Sequence, residues 1–284
     1  MTPIGNFQLA TISGGRYLID GGTMFGVVPK PLWERRIPAD EKNRIPQPTN
    51  CVLVKTGQQN VLIDSGYGTK LPDKQMKILS AEEGDPLATS LQSEGLDFDA
   101  IDVVILSHLH FDHAGGCTRY DDESGNLVTT FPNAEFVVQR REWNTATAGL
   151  PELRGVYPQE NLLPLQESGR LRLIDGDARI LPGIHSILTG GHTQWHQSIM
   201  IEDGGEAAIY LADLCPTTHH LPTLWGMSYD VDVLQIRRKK PELLSRIVEN
   251  NWLALFDHDP DFVAARLERD DRRDFAVTET YPRL

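Results

Sequence analysis

Residues 108 to 113 read His-Leu-His-Phe-Asp-His, and three imidazoles with a carboxylate inside six residues make a metal-ligand cluster. A polar turn that merely collected these side chains would carry a desolvation cost, because buried imidazoles need partners. The cluster follows the apolar run Val103 to Leu106 and precedes Ala114-Gly115-Gly116, so it lies where a strand ends. Three more apolar runs end in the same kind of residue. Ile187-Leu188-Thr189 leads through Gly190-Gly191 to His192, Ala208 to Ala212 leads to Asp213, and Leu253 to Phe256 leads through Asp257 to His258. Four strands aiming ligands at one place is how an α/β sheet builds a site, because the sheet is rigid and the loops beyond its carboxyl ends are open. Two divalent cations held about 3.5 to 4 Å apart can share a hydroxide, which becomes a nucleophile near pH 7. The donors are nitrogen and oxygen only. That suits zinc and is compatible with cobalt, iron or manganese.

The elements that must hold these ligands follow from apolar periodicity. Phe7 to Ile19 reads as a strand pair broken at Gly14-Gly15, and Cys51 to Lys55 with Val61 to Asp64 reads as a hairpin turning at Gly57 to Asn60. Between them, residues 21–50 read as a long substrate or interface loop. It is apolar at first (Met24, Phe25, Val27, Val28, Trp33) and then polar, with Pro38, Pro46 and Pro48. Its apolar part is either the lip of a substrate pocket or packing on the core, and a homodimer contact is compatible with both. Arg237 to Lys240, ahead of the helix-like segment Pro241 to Asn250, reads as a solvated helix start.

Composition bounds the function. A chain of 284 residues, 40% hydrophobic, fits a single enzyme domain over 1–284 with a sizeable core. The net charge of −13 argues against nucleic-acid partners, which are held by clustered Lys and Arg. Met1 to Ala10 lacks a basic leader, and no segment reaches the about 20 apolar residues of a membrane span, so a cytoplasmic protein with no membrane partner is expected. Three cysteines, Cys51, Cys117 and Cys215, suit a reducing compartment, with Cys117 and Cys215 expected as small core residues.

The ordered ligand set, His108-x-His110-x-Asp112-His113 followed by His192, Asp213 and His258, resembles that of the metallo-β-lactamase superfamily of dinuclear hydrolases. The resemblance covers roughly Asn50 to His258 and implies an α/β fold, an αββα sandwich of the metallo-β-lactamase type. It also implies two divalent metal ions, with zinc favoured. His108, His110 and His192 would hold one, Asp112, His113 and His258 the other, and Asp213 would bridge. Asp64, which closes Val61-Leu62-Ile63, would orient the ligand loop, although a simple turn cap explains it equally well.

Within the superfamily, Ser107 to Gly116 together with Gly191-His192-Thr193 and His196-Gln197-Ser198 is similar to the motifs of the N-acyl homoserine lactonases. This implies opening of a lactone, a quorum-quenching activity, through attack of a metal-bridging hydroxide on a small ester or lactone. Asp112 is then a catalytic candidate for passing the proton. Several such lactonases carry a Tyr three residues after the bridging Asp, where this chain has Pro216. Tyr229 is the candidate to replace it, with His219 and His220 as further residues able to reach the site. A phosphotriesterase or aryl esterase using the same metals is the alternative, and a non-catalytic metal-binding sensor the third reading. Glyoxalase II is disfavoured by the short stretch after His258, and a β-lactamase by Asp213 standing where a Cys is usual.

Overall fold

The structure, a computed structural model, describes residues 1–153 and 155–284. The first half supplies β1 (Thr2–Ile4), β2 (Phe7–Asp20), β3 (Arg44–Lys55), β4 (Asn60–Ile63) and β5 (Val103–Ile105). A short ribbon of β6 (Thr118–Tyr120) and β7 (Leu127–Thr129) precedes β8 (Glu135–Gln139) and β9 (Leu171–Ile174). These form a seven-stranded sheet of order β1-β2-β3-β4-β5-β8-β9, antiparallel up to β4 and parallel from β4 to β9. The second half gives β10 (Ala178–Leu181), β11 (Ile184–Leu188), β12 (Gln197–Asp203), β13 (Glu206–Tyr210), β14 (Leu253–Leu255), β15 (Ala264–Asp270) and β16 (Asp274–Tyr281). They lie in sequence order in a second seven-stranded sheet, antiparallel except for the parallel pair β13 and β14.

The two-residue period of the strands explains the layering. Val52 and Val54, Val61 and Ile63, Val103 and Ile105, Ala208 and Tyr210, and Leu253 and Leu255 all enter the core between the sheets. Their alternates on the first sheet (Leu53, Leu62, Val104) turn outward beneath helices, and so do Ile209 and Ala254 on the second. Strands buried on both faces read as continuous apolar runs, which is why these segments stand out in the sequence. Each fully buried Val or Leu there contributes roughly 1.5–3 kcal/mol. The outer layer of the first sheet includes the helices Pro86–Ser93, through Leu87 and Leu91, and Arg140–Thr147, through Trp143 and Ala146. That of the second is the helix Val233–Glu249, through Ile236, Leu243, Leu244 and Ile247. The result is an αββα sandwich. No described helix is long and apolar enough to cross a membrane.

Three segments differ from the pattern that their sequence suggests. Phe7–Asp20 is one long strand, not a pair, because Gly14-Gly15 is absorbed by a register shift between Ser13 and Arg16. Residues 21–50 are not one loop: they form the helices Gly21–Phe25 and Lys30–Trp33 and then enter β3 at Arg44. Pro46 and Pro48 are tolerated there because β4 pairs only with Val52 to Lys55, so the proline half of β3 has one unpaired side. Met24, Phe25, Val28 and Trp33 are buried with Ile37, Ile45 and Met227 in their own cluster, whereas Val27 is exposed. Finally, Lys240 is not a solvated helix-start residue. It lies inside Val233–Glu249, fully buried, with Nζ donating to the carbonyls of His220 at 2.7 Å, Pro222 at 2.9 Å and Trp225.

Candidate metal centre

Every expected ligand lies just past the carboxyl end of a strand. His108 to His113 follow β5, His192 follows β11, Asp213 follows β13, and His258 follows β14, while Asp64, expected to orient the ligand loop, follows β4. Hydrogen bonds between the sheets lock these ends together: Gln197 donates from its backbone N to Ser107 O at 3.0 Å and from Nε2 to Leu106 O at 2.8 Å. Local backbone geometry is specialised at the same ends. Asp64 and Ala212, the residue before Asp213, hold positive φ of 57° and 47°, an uncommon state for non-glycine residues that clusters at functional sites. Gly191, just before His192, has φ 93°, and a Cβ there would lie 2.7 Å from Ile236 Cδ1, so only glycine lets the His192 loop pass the helix.

Two groups of side chains converge. His108, His110, His192 and Asp213 form one, and His113, Asp213, Asp257 and His258 form the other, the potential ligand atoms of each lying within 4.8 Å of one another. Asp213 belongs to both. Its Oδ2 is 2.9 Å from His192 Nε2 and 3.5 Å from both His108 Nε2 and His113 Nε2, while Oδ1 is 3.3 Å from His258 Nε2. Asp112 borders the second group, with Oδ2 at 3.6 Å from His258 Nε2 and Oδ1 at 3.9 Å from His113 Nε2.

The imidazoles are held by their outer nitrogens. His113 Nδ1 faces Asp64 Oδ2 at 2.8 Å, His192 Nδ1 faces Asp230 Oδ1 at 3.0 Å, and His258 Nδ1 donates to Pro48 O at 2.7 Å. His108 Nδ1 contacts Ser107 Oγ at 3.1 Å, and that hydroxyl donates to Asp64 Oδ2 at 2.7 Å. Fixing one ring nitrogen leaves the other aimed inward. The Nε2 atoms of His108, His113 and His258, together with Asp213 Oδ1, are buried without a hydrogen-bond partner. Converging, unpartnered imidazole nitrogens and carboxylate oxygens fit divalent cations of the zinc, cobalt, iron or manganese kind.

Electrostatics point the same way. Burial pulls His108 well below the ordinary imidazole range and His110 down to about 3. Burial also opposes charge on His192 and His258, but Asp213, with Asp230 for the first and Asp257 for the second, raises them to about 10 and about 9. The carboxylates therefore draw positive charge into the cluster.

Asp64 has the orienting geometry rather than that of a simple turn cap: it accepts from Ser107 N and Ser107 Oγ, faces His113 Nδ1, and accepts from Tyr210 OH at 3.0 Å. Tyr229 lies beside the site, half-buried, its ring 5.5 Å from that of His192 and its hydroxyl on Met24 Sδ at 3.5 Å. His220 serves packing, stacked on Phe25 and bonded to Met24 O and Thr217 Oγ1, and His219 lies under Arg36, whose guanidinium bonds its carbonyl. The three cysteines are free and buried.

Several neighbours were not singled out by sequence reasoning. Tyr17 OH donates to Asp112 Oδ2 at 2.5 Å, and Glu142 ties Leu109 N, Thr193 Oγ1 and Tyr157 OH together behind the ligand loops. Asp230 likewise has no sequence signal. Asp257 does have one, since it directly precedes His258 at a strand end.

The metallo-beta-lactamase superfamily model matches residues 44–248. The chain belongs to that superfamily. A structure described as a probable metal-dependent hydrolase from Staphylococcus aureus superposes on 99% of this metallo-β-lactamase-fold chain and 100% of its own, with TM-score 0.88 and 34% identity. An N-acyl homoserine lactonase from Bacillus cereus is 30% identical over 171 residues, 56% of this chain and 60% of its own length. The chain's match thus spans about three fifths of that curated relative's length. AidC, a dizinc quorum-quenching lactonase solved with a product, shares the fold at TM-score 0.79 and 20% identity over 99% of this chain and 96% of its own.

Proposed function

We propose that the protein is a metal-dependent hydrolase that opens lactone rings, with N-acyl homoserine lactones as its substrate class. The observation that carries this reading is the pair of His/Asp groups sharing Asp213, with inward imidazole nitrogens left unpartnered. His108, His110 and His192 would hold one cation, Asp112, His113 and His258 the other, with Asp213 between them. When bound, such a pair of cations supplies an activated water at neutral pH and polarises a carbonyl oxygen.

The protein's own groups support ester chemistry around that centre. Tyr17 donates to Asp112 Oδ2, fixing a carboxylate whose two oxygens both border the cluster, and places a hydroxyl next to a group able to relay a proton to a leaving alkoxide. The Tyr229 hydroxyl rests on a thioether, a weak acceptor, and would exchange that contact for a substrate carbonyl at little cost. His110, Phe111 and Tyr229 are partly buried beside the ligands and would give an aromatic approach suited to a neutral, apolar substrate. The lactonase names of the curated relatives agree with this choice.

The test is initial rates of zinc-loaded and cobalt-loaded protein on short and long acyl homoserine lactones, an aryl phosphotriester and an aryl ester. Lactone turnover well above the rest, abolished by His110→Ala, is expected. Turnover confined to the phosphotriester or aryl ester would replace the lactonase reading. A protein that binds metal and turns over none of these would revert to a sensor role.

A further inference from the structure

We propose that Asp257 is an additional protein ligand of the second cation, beyond the seven positions of the superfamily's pattern; this rests on the two-metal reading above. Asp257 is 1% exposed, and both of its carboxylate oxygens are buried without a hydrogen-bond partner. A buried carboxylate left so is costly unless something compensates it. Its neighbours show what ordinary compensation looks like. Asp259, two residues on, accepts from Thr218 N, Thr218 Oγ1, Asp261 N and Phe262 N. Asp64 faces four donor atoms and Asp112 accepts from Tyr17. Among the described residues, Asp257 is the carboxylate with both oxygens fully buried and unpartnered, and Asp213, shared by the two groups, has its Oδ1 in the same state.

What faces Asp257 is the metal cluster. Oδ2 lies 3.5 Å from His258 Nε2, too far for a hydrogen bond and a normal spacing for two ligands of one ion, and the group includes His113 and Asp213. The side chain cannot swing away easily, because Asp257 O accepts from Asn50 N at 2.7 Å and the residue is sealed beneath β3. With Asp257, the second position is surrounded by three carboxylates (Asp112, Asp213, Asp257) and two imidazoles, against one carboxylate and three imidazoles at the first. Oxygen-rich, higher-coordinate surroundings favour manganese, iron or cobalt over zinc. The two positions therefore differ in metal preference, zinc at the first and a harder cation at the second.

The experiment titrates apo-protein with cobalt, followed by absorption and by competition with zinc, for wild type and Asp257→Asn, with Asp257→Gly as a second variant should the first fail to fold. The melting temperature of each apo-protein is measured alongside. Expected are two equivalents in wild type, about tenfold or greater weakening of the second equivalent in the variant, and a cobalt band shifted toward lower coordination. Cobalt spectra and affinities identical to wild type would overturn the inference. So would a lowered apo melting temperature with the band shape retained, which marks a packing role. Failure of wild type itself to bind a second equivalent would instead remove the two-metal reading on which the inference stands.

Discussion

Asp64→Asn tests whether the ligand loop is held in place by one carboxylate. Asn retains the shape and tolerates the positive φ of 57° at this position, so the perturbation is confined to hydrogen bonding. Oδ1 meets one donor, Ser107 N at 2.7 Å. Oδ2 meets three: Ser107 Oγ at 2.7 Å, His113 Nδ1 at 2.8 Å and Tyr210 OH at 3.0 Å. The amide therefore sits best with its oxygen toward the three, leaving the Ser107 N–H facing an NH2 group. That orphaned donor costs about 1–3 kcal/mol, and each remaining bond weakens by about 1 kcal/mol when its acceptor is neutral. Sharing within one network brings the expected loss to roughly 3–5 kcal/mol. Because His113 loses its carboxylate partner, metal affinity should fall about 10- to 100-fold. Urea unfolding in chelator gives the first number, and competition with a chromogenic chelator gives the second. A stability loss under about 1 kcal/mol together with unchanged metal affinity would refute the orienting role.

Gly191→Ala must place a Cβ 2.7 Å from Ile236 Cδ1 at φ 93°, so a loss of about 2–4 kcal/mol in thermal unfolding is expected, with weaker metal binding through the displaced His192. Tyr229→Phe removes only a hydroxyl on sulfur, so stability should change by less than about 1 kcal/mol, while lactone turnover drops about tenfold or more if the hydroxyl meets the substrate. Burial lowers the Lys240 amine to about 8 from 10.5. Between those values the unfolded chain carries a proton that the folded protein has released, so stability rises with pH across that window. At about 1.4 kcal/mol per pH unit the gain is up to about 3 kcal/mol. The stability difference between wild type and Lys240→Met, measured at pH 7.5 and 10.5, should move in favour of wild type by that order.

The candidate metal cluster was legible in its sequence because metal ligands come from few residue types, here His and Asp, and these follow the strand ends. His108, His110, Asp112, His113, His192, Asp213 and His258 all close apolar runs or follow them within a turn, and the runs are conspicuous because both faces of these strands are buried. The hairpin of β3 and β4 was legible for the same reason. Prolines and paired glycines misled instead. Pro46 and Pro48 lie in a strand with one unpaired side, and Gly14-Gly15 forms a bulge rather than a break, and neither circumstance has a local signature.

Tertiary structure alone decided the partners. Which carboxylate faces the outer nitrogen of each imidazole (Asp64 for His113, Asp230 for His192) depends on residues 49 and 38 positions apart meeting across loops. Lys240 was buried by the 220–225 loop folding its carbonyls over the amine, although an Arg-Arg-Lys-Lys run by itself suggests solvent. Asp257 is the sharpest case. Its place in the chain, next to His258, marks it only as a neighbour of a ligand. Its direction and its lack of donors are set by β3 and β14 closing around it. Residue types and strand ends are one-dimensional properties, whereas the satisfaction of a buried polar atom is decided by whatever the rest of the chain brings within about 3 Å.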